Sequence, residues 1–528
     1  MTRSRRSALG TLAALTLGAG APRAAETRIF RRGNIGEPDS LDPHLTTTGY
    51  AGNIISDMFL GLTTVDSKAQ VIPGAAESWT VAPDGKRITF HIRRGMQWSD
   101  GHAVTADDFV YSFRRMLDPK TAARGAPMLY MIAQAREVNS GKAPVAMLGV
   151  RAVDAGTFEV DLTNPTPYFL ELIVHRCPPV PRWAVEKHGV QWTRPENIVV
   201  NGPFILKNWI PQARVVLARN AKFYDAANVF LDEVAHETTE DLAGSFARYR
   251  AGELDMAVGF PPSLLTTIKA TMPQDLRVVP ILGLEYFVFN TRRPPFNDAR
   301  VRTALALALD RELIATKVER GGEVPADSLI PRGARVGYVP PPAPWAGLSM
   351  PQRLEKAAAL LAQAGYGAEN PLRFSFRYNT NEVQKRIAVA AAAMWKPLGV
   401  FVQLLNSDFN VINASLRNGD YDAARYQWLA EYTDPSTFLY LLESDDIGDN
   451  HAKYRNPAFD ELMHRAYATV DLAARATLLE QAETIALADA PLTPVTHLVN
   501  KQLVKPYVKG WDDNPRGLHF SRYVRIEL

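Results

Sequence analysis

The sequence predicts a mixed α and β fold built from several domains. The chain has 528 residues, which at ~150 residues per domain is enough for about three to four domain cores. Its hydrophobic periodicity switches repeatedly between the two-residue period of strands and the longer period of helices. With 46% hydrophobic and 22% charged residues, the composition is that of a globular protein and excludes disordered, collagen-like and coiled-coil chains.

The clearest strand and helix lie close together in the N-terminal part of the chain. A strand is predicted at Arg87–Ile92, because its hydrophobic residues alternate with polar ones. A helix is predicted to begin after Thr105, since Thr105 and Asp108 have the spacing of a capping box and the apolar residues that follow share one helix face. We therefore interpret Asp107 and Asp108 as first-turn residues that favour the helix dipole rather than as a catalytic pair.

Further elements are predicted from the same periodicities. Helices are predicted at residues 298–318, 351–364 and 471–489, with Gly365 ending the second. Short apolar strands are predicted at residues 215–217, 286–289, 372–376 and 401–404. Proline-rich stretches at residues 178–181, 261–262, 294–295 and 340–344 mark loops, because proline cannot donate a backbone hydrogen bond.

The first 25 residues have the features of an export signal. Arg3, Arg5 and Arg6 precede sixteen uncharged residues, 7–22, a run shorter than the ~20 residues that span a bilayer. Residues 4–9 resemble a twin-arginine export motif, and a general secretory signal that contains paired arginines is the alternative. We expect cleavage after residue 24 or 25 and export to a periplasm.

The rest of the chain is nearly neutral and has a single cysteine. Four of the 59 basic residues lie in the first 25 residues and all 56 acidic residues lie beyond them, which leaves a net charge of −1. Because the chain after residue 25 lacks the surplus of basic residues that nucleic-acid-binding proteins have, we expect no nucleic-acid partner. Cys177 is interpreted as a buried small side chain, and without a cysteine near the signal we expect no lipid anchor.

No complete catalytic or metal-binding motif occurs in the sequence. His236 and Glu237 lack the second histidine of a helical zinc motif, and nucleophile-elbow, Walker A and dinucleotide-binding patterns are absent. The acidic run at residues 445–450 departs from calcium-loop spacing and is interpreted as a solvated loop. We therefore expect no metal, no cofactor and no enzymatic activity, with an exported hydrolase whose catalytic residues are dispersed as the alternative.

Eight motifs, in order along the chain, resemble one known family. They are SLDPH (40–44), GAAESW (74–79), WSDG (98–101), VTADDFVYS (104–112), NGPF (201–204), PPFND (294–298), RVRTAL (300–305) and LLAQAGY (360–366). Together they make the chain similar to the oligopeptide-binding proteins of bacterial ABC importers, within substrate-binding protein family five. The resemblance spans essentially the whole chain after residue 25.

The resemblance implies a two-lobed periplasmic binding protein of type II, cluster C, with a third, inserted domain. Residues 26–60, 185–284 and 499–528 would form lobe I, residues 61–184 the inserted domain II, and residues 285–498 lobe III. Strands near residues 282–289 and 494–500 would be the hinge about which the lobes close over a ligand. The resemblance also implies a monomer that delivers a peptide to membrane permease subunits of an ABC transporter.

The resemblance further implies the ligand-binding residues. An extended peptide is held by main-chain pairing, and the acid that binds its α-ammonium group aligns with Glu431. Gln427 and Leu429 align with main-chain partners from lobe III, and Gly49 aligns with one from lobe I. The remaining aligned positions are Arg425, which matches a cation that receives a ligand carboxylate, and the cleft aromatics Trp428 and Phe409.

Considered without the resemblance, these positions have ordinary structural interpretations. Glu431 would be a solvated loop acid, and Trp428 would be a core residue. Arg425 would form a structural ion pair with Asp422 or Asp420.

Several positions depart from the best-known family members. Carboxylate-receiving cations align with Glu319, Gln384 and Leu416, a pocket tyrosine with Gly125, an acid with Val288, and two disulfide cysteines with Gly283 and Leu429. Arg417, beside Leu416, could substitute if the local strand register slips by one. These departures favour, as an alternative ligand class, modified peptides, opines or cell-wall fragments.

Overall fold

The computed structural model describes residues 27–46, 48–335, 337–446 and 448–527, so the predicted export signal lies outside the described residues. Its strands are β1 (Ile29–Asn34), β2 (Thr63–Val65), β3 (Val71–Pro73), β4 (Ala76–Val81), β5 (Arg87–Ile92), β6 (Val150–Asp154), β7 (Thr157–Asp161), β8 (Phe204–Ile210), β9 (Arg214–Arg219), β10 (Glu233–Thr238), β11 (Met256–Ala257), β12 (Leu276–Phe289), β13 (Val324–Pro325), β14 (Leu372–Asn379), β15 (Val400–Ser407), β16 (Ala423–Leu429), β17 (Leu492–Val504), β18 (Val508–Lys509) and β19 (Arg525–Ile526).

The α-helices complete a mixed α and β fold, as the sequence predicts. They are α1 (Gly49–Met58), α2 (Ala106–Leu117), α3 (Ala135–Asn139), α4 (Phe169–Leu172), α5 (Arg182–His188), α6 (Leu242–Arg250), α7 (Leu265–Thr271), α8 (Ala299–Leu307), α9 (Arg311–Leu313), α10 (Met350–Gln363), α11 (Glu382–Trp395), α12 (Phe409–Asn418), α13 (Ser436–Leu439), α14 (Pro457–Ala468) and α15 (Leu472–Asp489).

One large sheet runs through the described part of the molecule. Its strand order is β15-β14-β16-β12-β17-β11-β1-β10-β9-β8, with β13 added to β17. The long strands β12 and β17 pair antiparallel at its centre. They therefore connect the half that contains β14, β15 and β16 to the half that contains β1 and β8–β10.

Two large hydrophobic cores lie on either side of this connection. One contains buried residues from Leu282 to Val495, including the indole of Trp395. The other contains buried residues from the N-terminal half, such as Phe30 and Trp98, together with C-terminal residues such as Trp511. The lobe boundaries remain a prediction. The separation of the two hydrophobic cores supports that prediction.

A separate four-stranded sheet, in the order β4-β5-β7-β6, lies within predicted domain II. Its strand β5 has the predicted bounds, and the neighbouring helix α2 begins after Thr105, as predicted. The capping box of α2 is present, because the backbone N–H of Thr105 donates to Asp108 Oδ2 at 2.8 Å. Phe109 and Phe113 of α2 are fully buried against this sheet, which confirms the predicted apolar face.

The prediction of one continuous helix at residues 298–318 is wrong in the middle of that range. The chain forms α8, interrupts the helix after Leu307, and continues as α9 and a π-helical segment, Ile314–Glu319. The reason is Asp310, whose side chain accepts a hydrogen bond from the Leu313 N–H at 2.9 Å and so caps a new helix. The predicted helices at residues 351–364 and 471–489 are confirmed within two residues by α10 and α15.

Within the described residues, no helix is both long and apolar enough to cross a membrane.

Candidate ligand-binding site

The strand β16 has an open edge on the side away from β12. Its neighbour β14 pairs with it only at Ala423 and Ala424, so no strand of the described residues pairs with residues 425–429 on that side. On the other side, the N–H of Ala430 donates to the Leu282 carbonyl at 2.8 Å, and the antiparallel register continues from there. Residues 424, 426 and 428 therefore bond to β12, and the main-chain groups of residues 425, 427 and 429 point to the open edge.

Glu431 lies just beyond the end of this open edge and is ion-paired. Its Oε2 accepts from Arg176 Nη2 at 2.6 Å, and its carbonyl accepts from Arg516 Nη2 at 2.9 Å. Its N–H donates to Thr437 Oγ1 at 3.1 Å. The side chains of Arg176 and Glu431 are 27% and 25% exposed, so this carboxylate is held in place yet within reach of solvent.

The segment after β16 packs against residues of predicted domain II. The N–H of Thr433 donates to Glu171 Oε2 at 2.6 Å. The rings of Tyr168 and Tyr432 stack with centroids 3.8 Å apart and an interplanar angle of 7°. Glu431 therefore sits at a contact between lobe III and domain II as the sequence delimits them.

One face of β16 carries aromatic side chains. The ring of Phe409, the first residue of α12, stacks on Tyr426 with centroids 6.0 Å apart. Trp428 packs edge-on against Tyr440 at 5.7 Å. Phe409 is 54% exposed, whereas Trp428 is partly buried and packs against the core that contains Trp395. We call Phe409, Tyr426, Trp428 and Tyr440 the aromatic face.

The opposite face of β16 carries charged and polar side chains. Arg425 is buried and donates from Nε and Nη2 to both carboxylate oxygens of Glu285, and from Nη1 to Asn379 Oδ1 at 2.8 Å. Burial raises the pKa of Glu285, although Arg425 opposes that rise. Burial, with the nearby carboxylates Glu285 and Glu323, raises the pKa of Glu319 to about 8.

The alternative that paired Arg425 with Asp422 or Asp420 named the wrong acids. The carboxylate of Asp422 accepts from the N–H and hydroxyl of Ser375, and Asp420 lies 3.6 Å from Arg293. The true partner, Glu285, lies opposite Gln427 in the β12–β16 register. The only sequence signal for it is an acid within the otherwise apolar run of residues 281–289.

The other aligned positions, Gly49, Gln427 and Leu429, are all exposed. Gly49 is exposed at the start of α1, and a Cβ atom there would meet nothing within 4 Å. The side chains of Gln427 and Leu429 are exposed on the edge. No hydrogen bond among the described residues joins Gly49 to β16.

The surroundings of most positions that differ from the best-known family members explain the residues found there. Leu416 and Val288 are fully buried in the core, while Arg417 is exposed. Leu416 and Arg417 both lie in helix α12, so the expectation that a slip of strand register lets Arg417 replace Leu416 is wrong. Gly283 and Leu429 are a cross-strand pair, and a Cβ atom on Gly283 would lie 2.9 Å from Leu429 Cδ2. A Cβ atom on Gly125 would lie 2.9 Å from Met116 Cε, so a larger residue would need Met116 to move.

Two residues of the site have no sequence signal that identifies them. Arg176 and Arg516 contact Glu431 from positions 255 and 85 residues away in the chain. Burial lowers the pKa of Arg516, opposed by Glu171 and Glu431. The thiol of Cys177, next to Arg176, is buried and its pKa is raised well above the usual range, as expected for an inert side chain.

Comparison with known proteins identifies the family. A model of the bacterial extracellular solute-binding proteins, family 5, matches residues 70–450. The periplasmic oligopeptide-binding protein of Salmonella typhimurium is 41% identical over 492 residues, which are 92% of this chain and 90% of that protein.

Two solved structures have the same fold. OppA of Haemophilus influenzae in complex with the peptide RPPGFSPFR has a TM-score of 0.84 and 37% identity, over 95% of this chain and 99% of that one. The murein tripeptide binding protein of Escherichia coli has a TM-score of 0.86 and 35% identity, with the same coverage of both chains. The predicted two-lobed type II fold with an extra domain is thereby confirmed, and the chain belongs to family 5 of the bacterial extracellular solute-binding proteins.

Proposed function

We propose that this chain is the periplasmic peptide-binding subunit of an ABC importer, and that its ligand adds a strand to the open edge of β16. The observation that carries the proposal is the outward main chain of Arg425, Gln427 and Leu429, with the carboxylate of Glu431 beyond its end. An extended peptide can pair with such an edge, and its α-ammonium group can bind the acid at the end. The relatives reported above include an oligopeptide-binding protein, a protein in complex with a nonapeptide and a murein tripeptide binding protein, and their names support this ligand class.

The two faces of β16 suggest how ligand side chains are accommodated. Successive side chains of an added strand point to opposite faces of the sheet. They would alternate between the aromatic face and the polar face around Arg425. Because Arg425 already has Glu285 and Asn379 as partners, we assign it a structural role rather than the role of a free carboxylate receptor.

We also propose that the chain binds and releases its ligand without making or breaking a covalent bond. The relatives are solute-binding proteins, which supports this part of the proposal. Ligand-stabilised closure would present the complex to the membrane permease subunits.

A receptor for modified peptides is the second candidate, favoured by the Arg176 side chain that already binds Glu431.

A peptide pool tests the proposal. The protein is incubated with di- to pentapeptides and separated from unbound peptide, and both fractions are analysed by mass spectrometry. We expect intact peptides in the bound fraction and no new fragments in either. Cleaved peptides would support the exported hydrolase instead, and a bound fraction without peptide would overturn the proposal.

A further inference from the structure

Glu431 belongs to a cluster of mixed charge, which we call the Glu431 cluster: Glu171, His175, Arg176, Glu431 and Arg516. Direct contacts join Arg176 and Arg516 to Glu431. Burial, with Arg516 and Arg176 nearby, lowers the pKa of His175 to about 3, so this imidazole is neutral at pH 7. The two guanidinium and two carboxylate groups of the cluster then balance in charge, and the nearby carboxyl group of Asp449 has a pKa raised by burial, with Asp446 and Glu431 contributing.

Two donors of this cluster have no acceptor. Arg176 Nε and Arg516 Nη1 are both buried and have no hydrogen-bond partner within the described part of the chain. A buried donor without an acceptor costs roughly 1–3 kcal/mol, and more when it is charged. Guanidinium N–H groups can only donate, so the group that suits them is an acceptor, and best an anion.

The acidic half of the cluster retains binding capacity. Among the described residues, the Glu431 carboxylate accepts its hydrogen bond through Oε2, so Oε1 can accept one from a ligand. A ligand that brings only an ammonium group would add a positive charge to a neutral cluster and leave both arginine donors unsatisfied. A ligand end that carries an ammonium and a carboxylate together would add no net charge and supply acceptors for these donors.

From this arrangement we infer that the Glu431 cluster binds an amino-acid head group, with the α-ammonium on Glu431 and the α-carboxylate of the same carbon on Arg176 and Arg516. The inference rests on the proposed function, in which Glu431 receives the ligand's ammonium group. A peptide whose first residue is joined through its side chain, as in a γ-glutamyl peptide, has such a head. An ordinary peptide does not, because its first carboxyl group forms the peptide bond.

Two isomeric peptides test the inference on the unaltered protein. γ-Glu-Ala-Ala and α-Glu-Ala-Ala have the same mass and charge, and Ala-Ala-Ala serves as a reference peptide. Calorimetric titration should show the γ isomer binding at least about tenfold tighter than the α isomer, since one charge-assisted hydrogen bond corresponds to about that factor. Equal affinities would overturn the inference and leave the proposed function intact if the peptides bind. If none of the three peptides binds, the proposed function fails, and the inference with it.

Substitutions of Arg176 and Arg516 test whether these residues cause the preference for the γ isomer. Arg516→Gln and Arg176→Gln should each reduce the preference for the γ isomer by about tenfold, since each removes one guanidinium partner of the carboxylate. Arg182→Gln is the matched control, because Arg182 is exposed, forms its ion pair with Glu186 in the same helix, α5, and lies over the ring of Tyr111, away from the Glu431 cluster. Thermal unfolding checks that the variants are folded. A γ preference that survives both substitutions would contradict the assignment of Arg176 and Arg516.

Discussion

At the scale of single residues, two ion pairs of β16 and its continuation differ in burial and therefore in role. Arg176 and Glu431 are each about one quarter exposed, whereas Arg425 and Glu285 are 4% and 0% exposed. Separating a buried pair leaves charges without solvent, while a half-exposed pair can exchange partners at lower cost. This difference makes Glu431 suited to binding a ligand and Arg425 suited to holding β16 against β12.

The first residue-scale prediction concerns Glu431. Glu431→Gln should weaken binding of a peptide by about 2–5 kcal/mol, because the ligand's ammonium group loses its charged partner. N-acetylation of the peptide should cost a similar amount, and the two losses should not add, since both remove the same pair. Calorimetric titration of both proteins with both peptide forms measures the cycle.

Glu431→Asp is the control for charge, since it keeps the carboxylate and shortens its reach. It should cost less than Glu431→Gln. If acetylation leaves the affinity of the unaltered protein unchanged, the ligand is not recognised by its amino terminus.

The second residue-scale prediction concerns Glu319. Its pKa is raised from 4.5 to about 8 in the folded protein, so between these values the unfolded chain releases a proton that the folded chain keeps. Stability should therefore fall as pH rises from 4.5 to 8, by roughly 2–3 kcal/mol at pH 7 from this group. Urea unfolding at pH 5 and pH 7.5 should show that Glu319→Gln gains stability relative to the unaltered protein at the higher pH.

The matched control is Glu312→Gln, an exposed acid on the same stretch of chain. It should leave the pH dependence unchanged. A Glu319→Gln variant with the same pH dependence as the unaltered protein would show that Glu319 ionises normally.

At the scale of elements, the alternation of hydrogen bonds along β16 makes a prediction about amide exchange. The N–H groups of Tyr426 and Trp428 bond to β12, while those of Gln427 and Leu429 point to the open edge. Ligand binding should slow exchange at Gln427 and Leu429 and change it little at Tyr426 and Trp428. Residue-resolved hydrogen exchange by NMR, with and without peptide, measures this. Slowing at the even-numbered residues alone would place the ligand elsewhere.

Elements are also the scale at which the sequence predicts best. The alternation in Arg87–Ile92 and the capping box at Thr105 depend on neighbours a few residues away, and both are confirmed. The helix at residues 298–318 fails because its apolar pattern continues past Asp310, and pattern alone does not show that an acid caps a new turn. The partners of the site residues depend on strand register and domain packing, so Glu285, Arg176 and Arg516 could not be read from local spacing.

At the scale of the whole molecule, the candidate site lies where the three predicted domains meet. Glu431 belongs to predicted lobe III, Arg176 to domain II and Arg516 to lobe I, and the contacts among them connect all three. The long strands β12 and β17 connect the two halves of the sheet, and β12 has an irregularity between Pro280 and Leu284. A ligand bound at Glu431 would therefore contact groups on both sides of the predicted hinge.

This arrangement predicts compaction on ligand binding. The radius of gyration from small-angle scattering should decrease when a saturating peptide is added, because the ligand favours the closed arrangement of the lobes. The circular dichroism spectrum should stay unchanged, since hinge motion alters few backbone angles. An unchanged radius, with binding measured independently, would count against closure about β12 and β17.

The most direct test of the central claim is the identity of the ligand that the protein captures in its own compartment. The protein is isolated from the periplasm without added ligand, and native mass spectrometry determines the mass of any bound molecule, which is then fragmented. We predict peptides, with fragment series of amino-acid residues. Bound molecules that contain no amino-acid residues would contradict the account.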